Sequence, residues 1–531
     1  QASAESPPPP GPGPAVQPPS RREMRRLAGA ALLGTALAGS PPPEPIQPKL
    51  ACGICRELTR GLPCEWFGAC DTPIVAQAAD GCEAICPTTV AGPPAPLAPP
   101  GLELRVAKAF GTRPYGQLRI SAVTTSAEPP VAGFFDYSAQ FMHRWTQFYL
   151  HTALKTVSPG DATELDLGGG AKVSVRLPKQ GAGIAGVLVA DPCVNSATGK
   201  YWVPCEYGAK FQTLTRTPEL INAFAEDDDT DFWSISGDNF YDRTGEISAD
   251  VFGRISLQAK SKIFASVPGN HDYWAFGSPM LGISKDQCGN GFMQFYGQDV
   301  KAAENLTLGS ADAPYSFAVH PSANVSVLPD LGIGWGCTVS EMKNFVWYNQ
   351  IGNVGLIGQS AAYTLEEAMP FMREACAWLP TQEGLEVVLL MGHWDIEGSG
   401  SKAGMDMPVW YAEMAALPGC AEFEKRGMLK FVMGHTHCND PHPHGKVGAG
   451  FRVAGFGMEG CGNYGMPLVD TTGGRVRFWY FDTSSDELYD QVLGCVRGKG
   501  WRRCTSHAAL WLDQPIAPAQ TRPAGELEVV V

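Results

Sequence analysis

Five short apolar runs, each followed within a few residues by a polar loop, constrain this chain most. They are Val187–Ala190, Phe232–Ile235, Ile263–Val267, Val387–Leu390 and Leu429–Met433. Runs of four or five apolar residues suit strands buried on both faces better than helices. Helical stretches fall between and around them: Pro218–Glu226, Ser248–Ala259 and Leu365–Leu379, the last with a kink expected at Pro370. Short strands alternating with helices predict a layered α/β core. In such cores the reactive side chains stand on loops beyond the carboxyl ends of the strands. Upstream, Leu102–Val106 and Lys172–Leu177 alternate as half-buried antiparallel strands do. Residues 102–182 therefore read as a β-rich region, either a small domain or a layer packed on the main unit.

The loops after the five runs hold the chemistry. They carry Asp191, then Gly237-Asp238-Asn239-Phe240-Tyr241, then Gly269-Asn270-His271-Asp272, then Gly392-His393, then Gly434-His435-Thr436-His437. Carboxylate, amide, imidazole and phenolate together suit two hard or borderline cations in one mixed nitrogen and oxygen site. Glycines directly before Asp238, Asn270, His393 and His435 let the backbone turn sharply beside a ligand. A lone histidine is more often structural than a ligand. Four of the ten in this chain, however, sit in such loops.

In order and spacing these blocks resemble the calcineurin-like metallophosphoesterase superfamily, over roughly residues 183–485. Within it, Gly237-Asp238-Asn239-Phe240-Tyr241 is most similar to the purple acid phosphatases, which place a metal-binding tyrosinate where Tyr241 stands. The wider superfamily has Asp-x-His in its first block, whereas this chain has Asp191-Pro192-Cys193. The resemblance implies a metallophosphoesterase β-sandwich flanked by helices. It also implies two metal ions. Asp191, Tyr241 and His437 would hold Fe(III). Asn270, His393 and His435 would hold Fe(II), Zn(II) or Mn(II), and Asp238 would bridge the two.

The implied reaction is hydrolysis of phosphate monoesters by a metal-bound hydroxide. His271 is its expected acid or oxyanion stabiliser, and Asp272 the partner that orients His271. A phosphodiesterase or nucleotidase on the same scaffold is the nearer alternative. A secreted, catalytically inactive binding protein is the further one. Cys193 is expected to pair in a disulfide, with Cys205 a candidate partner, rather than to bind metal.

Composition bounds the rest. The chain has 531 residues and a net charge of −14, and such an acidic, charge-poor surface argues against a nucleic-acid binder, whose footprint needs clustered Lys and Arg. A small phosphate ester is the expected partner. Sixteen cysteines point to disulfides and an oxidising compartment. The sequons at Asn305 and Asn324 agree with that.

Residues 1–50 are Pro-rich and expected to be disordered. Within them, residues 21–39 pair a basic stretch with the apolar run Leu27–Ala38, as an export signal does; Ser20-Arg21-Arg22 offers a twin-arginine reading toward an organelle lumen. That run is too short for a membrane span, which needs about 20 apolar residues. Residues 51–90, with six cysteines, form an expected disulfide module for accessory contacts, and 91–101 a Pro-rich linker. The acidic run Glu226–Asp229 lacks the spacing of a calcium loop and is expected to be a solvated turn. His442 and His444 are expected to decorate a Pro-rich loop. Residues 486–531 are expected to be a tail tied by Cys495 and Cys504.

Overall fold

The apolar runs do become strands, and their neighbours complete two sheets. In chain order the strands are β1 (Glu103–Lys108), β2 (Gln117–Thr124), β3 (Tyr137–Gln140), β4 (Tyr149–Thr156), β5 (Ala162–Asp166), β6 (Lys172–Arg176), β7 (Ala185–Val189), β8 (Phe232–Ser236) and β9 (Ile263–Val267). There follow β10 (Trp347–Ile351), β11 (Val354–Gly358), β12 (Val387–Met391), β13 (Leu429–Met433), β14 (Asn439–Pro441), β15 (Gly450–Val453), β16 (Gly465–Asp470), β17 (Arg475–Asp482) and β18 (Ala508–Pro515). The computed structural model describes residues 103–141, 148–167, 172–194, 205, 208–242, 245–272, 290–301, 345–361, 363–395, 406–443, 448–457 and 460–517. The expected signal, Cys-rich module, linker and both sequons lie outside these residues.

One large sheet has ten strands in the order β18-β17-β16-β7-β8-β9-β1-β2-β4-β3, a second has six in the order β10-β11-β12-β13-β15-β14, and β5 and β6 pair in a separate two-stranded sheet. β7, β8, β9 and β1 run parallel, as do β11, β12, β13 and β15. Their carboxyl ends therefore gather loops from both sheets. A single apolar cluster joins the sheets, with Val187, Ile235 and Val267 of one and Leu389 and Phe431 of the other. Trp347 of β10 donates its indole N–H to the Ser266 carbonyl of β9 at 2.9 Å.

The β-rich region is not detached, because β1 pairs with β9 and carries β2, β4 and β3 into the large sheet. Its expected half-buried alternation holds for β6 but fails for β1, every residue of which is buried. Both faces of β1 are covered, by the helix Glu246–Arg254 and by β10 among others, so its polar residues pair internally. Arg105 contacts Glu103 at 3.2 Å and lies over the Phe252 ring, 3.8 Å from its centroid.

The helices differ from expectation mainly at their ends. α1 (Thr213–Ala225) begins before Pro218, and α2 (Glu246–Arg254) stops short of Ala259. The break falls where Ser256 caps a separate turn, Leu257–Lys260. α3 (Leu365–Trp378) opens on a Thr364–Glu367 capping box and continues past Pro370. α4 (Met407–Ala416) precedes β13. Within the expected C-terminal tail, residues 486–517 are folded in. α5 (Asp486–Lys499) buries Tyr489, Val492, Leu493 and Val496, and β18 forms an edge of the large sheet. Glu226–Asp229 is a turn, as expected, and Asp227 accepts from Trp501 N at 2.6 Å.

Candidate metal centre

Asp191 follows β7, Asp238 and Tyr241 follow β8, and Asn270 follows β9. His393 follows β12, and His435 and His437 follow β13. The loops from both sheets bring these seven side chains into two adjoining groups.

In the first group the Tyr241 hydroxyl donates to Asp191 Oδ1 at 3.0 Å and lies 3.1 Å from His437 Nε2; His437 Nε2 lies 3.5 Å from Asp191 Oδ1. In the second, Asn270 Oδ1 is 3.0 Å from His435 Nδ1 and 3.1 Å from His393 Nε2. His393 Nε2 is itself 3.2 Å from His435 Nδ1 and 3.4 Å from Asp238 Oδ1. Cations bound at about 2.0–2.1 Å put neighbouring donor atoms roughly 3 Å apart. Both groups meet that spacing. Asp238, His393 and His435 by themselves converge closely enough to hold an ion.

The second group is made almost wholly of acceptors. His393 donates Nδ1–H to the Ser236 carbonyl at 3.1 Å, which turns Nε2 toward Asn270, Asp238 and His435. Such a set needs a positive charge at its centre. Without a metal, a proton supplies it. Burial alone would lower His393, but the Asp238 and Asp191 carboxylates lift it to about 9. Burial, then the charge of His393, pushes His435 down to about 4. Burial opposes ionisation of Asp238, yet the His393 and His271 imidazoles hold its carboxyl well below the usual range. Burial, then Asp191 and Asp238, raises the Tyr241 phenol far above its ordinary value, so a phenolate there needs a cation in contact.

The backbone under these side chains is strained. Asp191, Asp238, Tyr241, His435 and His437 all have positive φ, between 49° and 69°. Each such non-glycine residue costs about 1–3 kcal/mol and persists where its surroundings over-determine it. Two glycines show how tight those surroundings are. A Cβ on Gly269 would overlap Asp238, and one on Gly434 would overlap Asp191 and His393.

His271 is half-buried, its ring centroid is 4.9 Å from that of Tyr241, and its backbone N–H donates to Asp238 Oδ1 at 2.8 Å. Asp272 is buried between two loops. Its oxygens accept from Asn239 N and Nδ2, both at 2.8 Å, and from Gly269 N at 2.6 Å. It thus clamps the Asp238 loop to the Asn270 loop, which also carries His271. Asn239 lay inside a recognised block without a role assigned to it. His442 departs from expectation: it is buried, with Nε2 3.1 Å from Asp395 Oδ1, two residues beyond His393. His444 lies outside the described residues.

Cys193 is no ligand, because it is bonded to Cys205. Cys376–Cys420, Cys438–Cys461 and Cys495–Cys504 are also disulfides.

The calcineurin-like phosphoesterase family model matches residues 210–439. The chain carries a calcineurin-like phosphoesterase domain. The match takes in every block from Asp238 to His437 and leaves Asp191 just outside. This phosphoesterase is a metal-dependent hydrolase with the expected mixed α/β fold. Among solved structures, it is similar to one of PhoD, with 10% identity, TM-score 0.37, and coverage of 72% of this chain and 87% of that one. It is also similar to a dimetal phosphatase from Danio rerio, with 12% identity, TM-score 0.29, and coverage of 57% and 96%. No curated protein matches the phosphoesterase. No helix among its described residues is long and apolar enough to cross a membrane.

Proposed function

We propose that this protein is a binuclear phosphomonoesterase of the purple acid phosphatase type, working in an oxidising compartment. The observation that carries the reading is the triangle of Tyr241 Oη, Asp191 Oδ1 and His437 Nε2, with sides of 3.0, 3.1 and 3.5 Å, beside the Asp238–Asn270–His393–His435 group. A phenolate beside a carboxylate and an imidazole favours Fe(III). The other group suits Fe(II), Zn(II) or Mn(II), with Asp238 shared between them. When bound, the two cations supply Lewis acidity that acidifies water and neutralises charge on phosphoryl oxygens.

The chain's own residues do the rest. His271, half-exposed beside Tyr241, delivers a proton to the leaving alkoxide or donates to an equatorial oxygen. Asp272 fixes the two loops that carry Asp238, Asn270 and His271. The packing that holds five of the seven candidate ligands in left-handed backbone keeps the donors in place before any cation arrives. The four disulfides support an exported, secretory-pathway location.

Purified protein assayed on p-nitrophenyl phosphate and on bis-p-nitrophenyl phosphate tests the substrate class. Turnover of the monoester at least tenfold faster is expected. The reverse ratio points to a phosphodiesterase, and no turnover of either by metal-loaded protein points to a binding protein.

A further inference from the structure

The two halves of the candidate centre are braced unequally. Cys193 lies two residues past Asp191, and its N–H donates to the Asp191 carbonyl at 2.7 Å and to the Phe456 carbonyl at 3.1 Å. Its disulfide with Cys205 is buried, and both sulfur residues cluster with Tyr241. Cys438 directly follows His437 and is bonded to Cys461. Gly460, next to Cys461, sits so close to His437 that a Cβ on it would overlap the His437 carbonyl. Each member of the Asp191–Tyr241–His437 group is therefore bonded to, or packed on, a cross-linked cysteine. The other two disulfides among the described residues tie helical segments together, Cys376 in α3 to Cys420 and Cys495 in α5 to Cys504.

Backbone strain follows the same division. Asp191, Tyr241 and His437 all have left-handed φ, whereas in the Asn270–His393–His435 group only His435 does. Residues in that conformation stay there only while neighbours hold them. For the first group, the neighbours include two disulfides.

We propose that Cys193–Cys205 and Cys438–Cys461 are positioning cross-links for the Asp191–Tyr241–His437 half of the centre, and that reducing Cys438–Cys461 releases the cation of that half alone. The inference rests on the binuclear reading given above. The reductant is a dithiol. It transfers two electrons and two protons, the Cys438–Cys461 bond breaks into two thiols, and the dithiol closes to its own disulfide. Cys461 is exposed, while Cys193 and Cys205 are buried, so a reductant reaches Cys438–Cys461 first.

The test counts metal rather than activity. Full-length wild type, a Cys438→Ser/Cys461→Ser variant and a Cys495→Ser/Cys504→Ser control are equilibrated with Zn²⁺ and gel-filtered. Bound zinc is then measured, with far-UV circular dichroism to check folding. Wild type and control should hold two equivalents, and the Cys438/Cys461 variant one. Wild type treated with dithiol should fall from two to one in step with thiol labelling at Cys461. A folded variant that keeps both ions or loses both overturns the proposal. So does wild type that keeps two after Cys461 is labelled, which decides the matter if the variant does not fold. Wild type that never binds two equivalents sinks the binuclear reading itself.

Discussion

Tyr241 donates its phenolic hydrogen bond to Asp191 Oδ1 at 3.0 Å, across 50 residues of sequence. The two side chains come from the ends of neighbouring parallel strands, β7 and β8, and both sit at φ 52°. In the proposed centre that pairing sets the place of a phenolate ligand, and several consequences of the proposal are measurable.

His271 stands beside the donors without belonging to either group. His271→Ala is expected to lower kcat by about 10²–10⁴-fold, the usual contribution of a positioned acid. Metal content should stay unchanged. Retained turnover would remove His271 from the chemistry; lost metal would mean that it supports the ligands.

Asp272 accepts three N–H groups from two loops. Asp272→Asn turns one acceptor oxygen into a donor that faces other donors. We expect a loss of about 2–3 kcal/mol in unfolding free energy and weaker metal binding, read by thermal unfolding and metal titration. If only His271-dependent turnover changes, Asp272 acts on that imidazole after all.

Gly269→Ala places a Cβ on Asp238. Isothermal titration with Zn²⁺ should show binding lost or weakened at least tenfold. Wild-type affinity in this variant would mean that the loop has slack that the packing denies.

Lys108 offers a pH test remote from the metals. Burial pushes its amine down to about 7. Between that value and about 10.4, the unfolded chain holds a proton that the folded chain does not. Folding stability should therefore rise with pH across the window and fall as pH drops toward 7. Lys108→Met should remove this dependence and raise the melting temperature more at pH 7 than at pH 10. Equal shifts at both pH values would contradict a buried neutral amine.

The strands and the loops that follow them were legible because each is local: a short apolar run and then Asp, Asn or His, after a glycine in every block but that of Asp191. Cys193–Cys205 was legible for the same reason, being only 12 residues apart. What stayed hidden depends on distant segments meeting. His442 bonds Asp395 47 residues away, and β1 is buried on both faces because α2 and β10, far from it in sequence, pack against it. The left-handed backbone at Asp191 and His437 leaves no trace in sequence, since neither residue is a glycine. The contact between Asp272 and Asn239 was not legible either, because the two residues come from different loops.

The most direct test is metal analysis of the purified protein together with its visible spectrum, for wild type and Tyr241→Phe. The account predicts two metal ions, one of them iron, and a purple phenolate-to-Fe(III) band that disappears in the variant. A colourless, iron-free wild type, or a band that survives Tyr241→Phe, would contradict it.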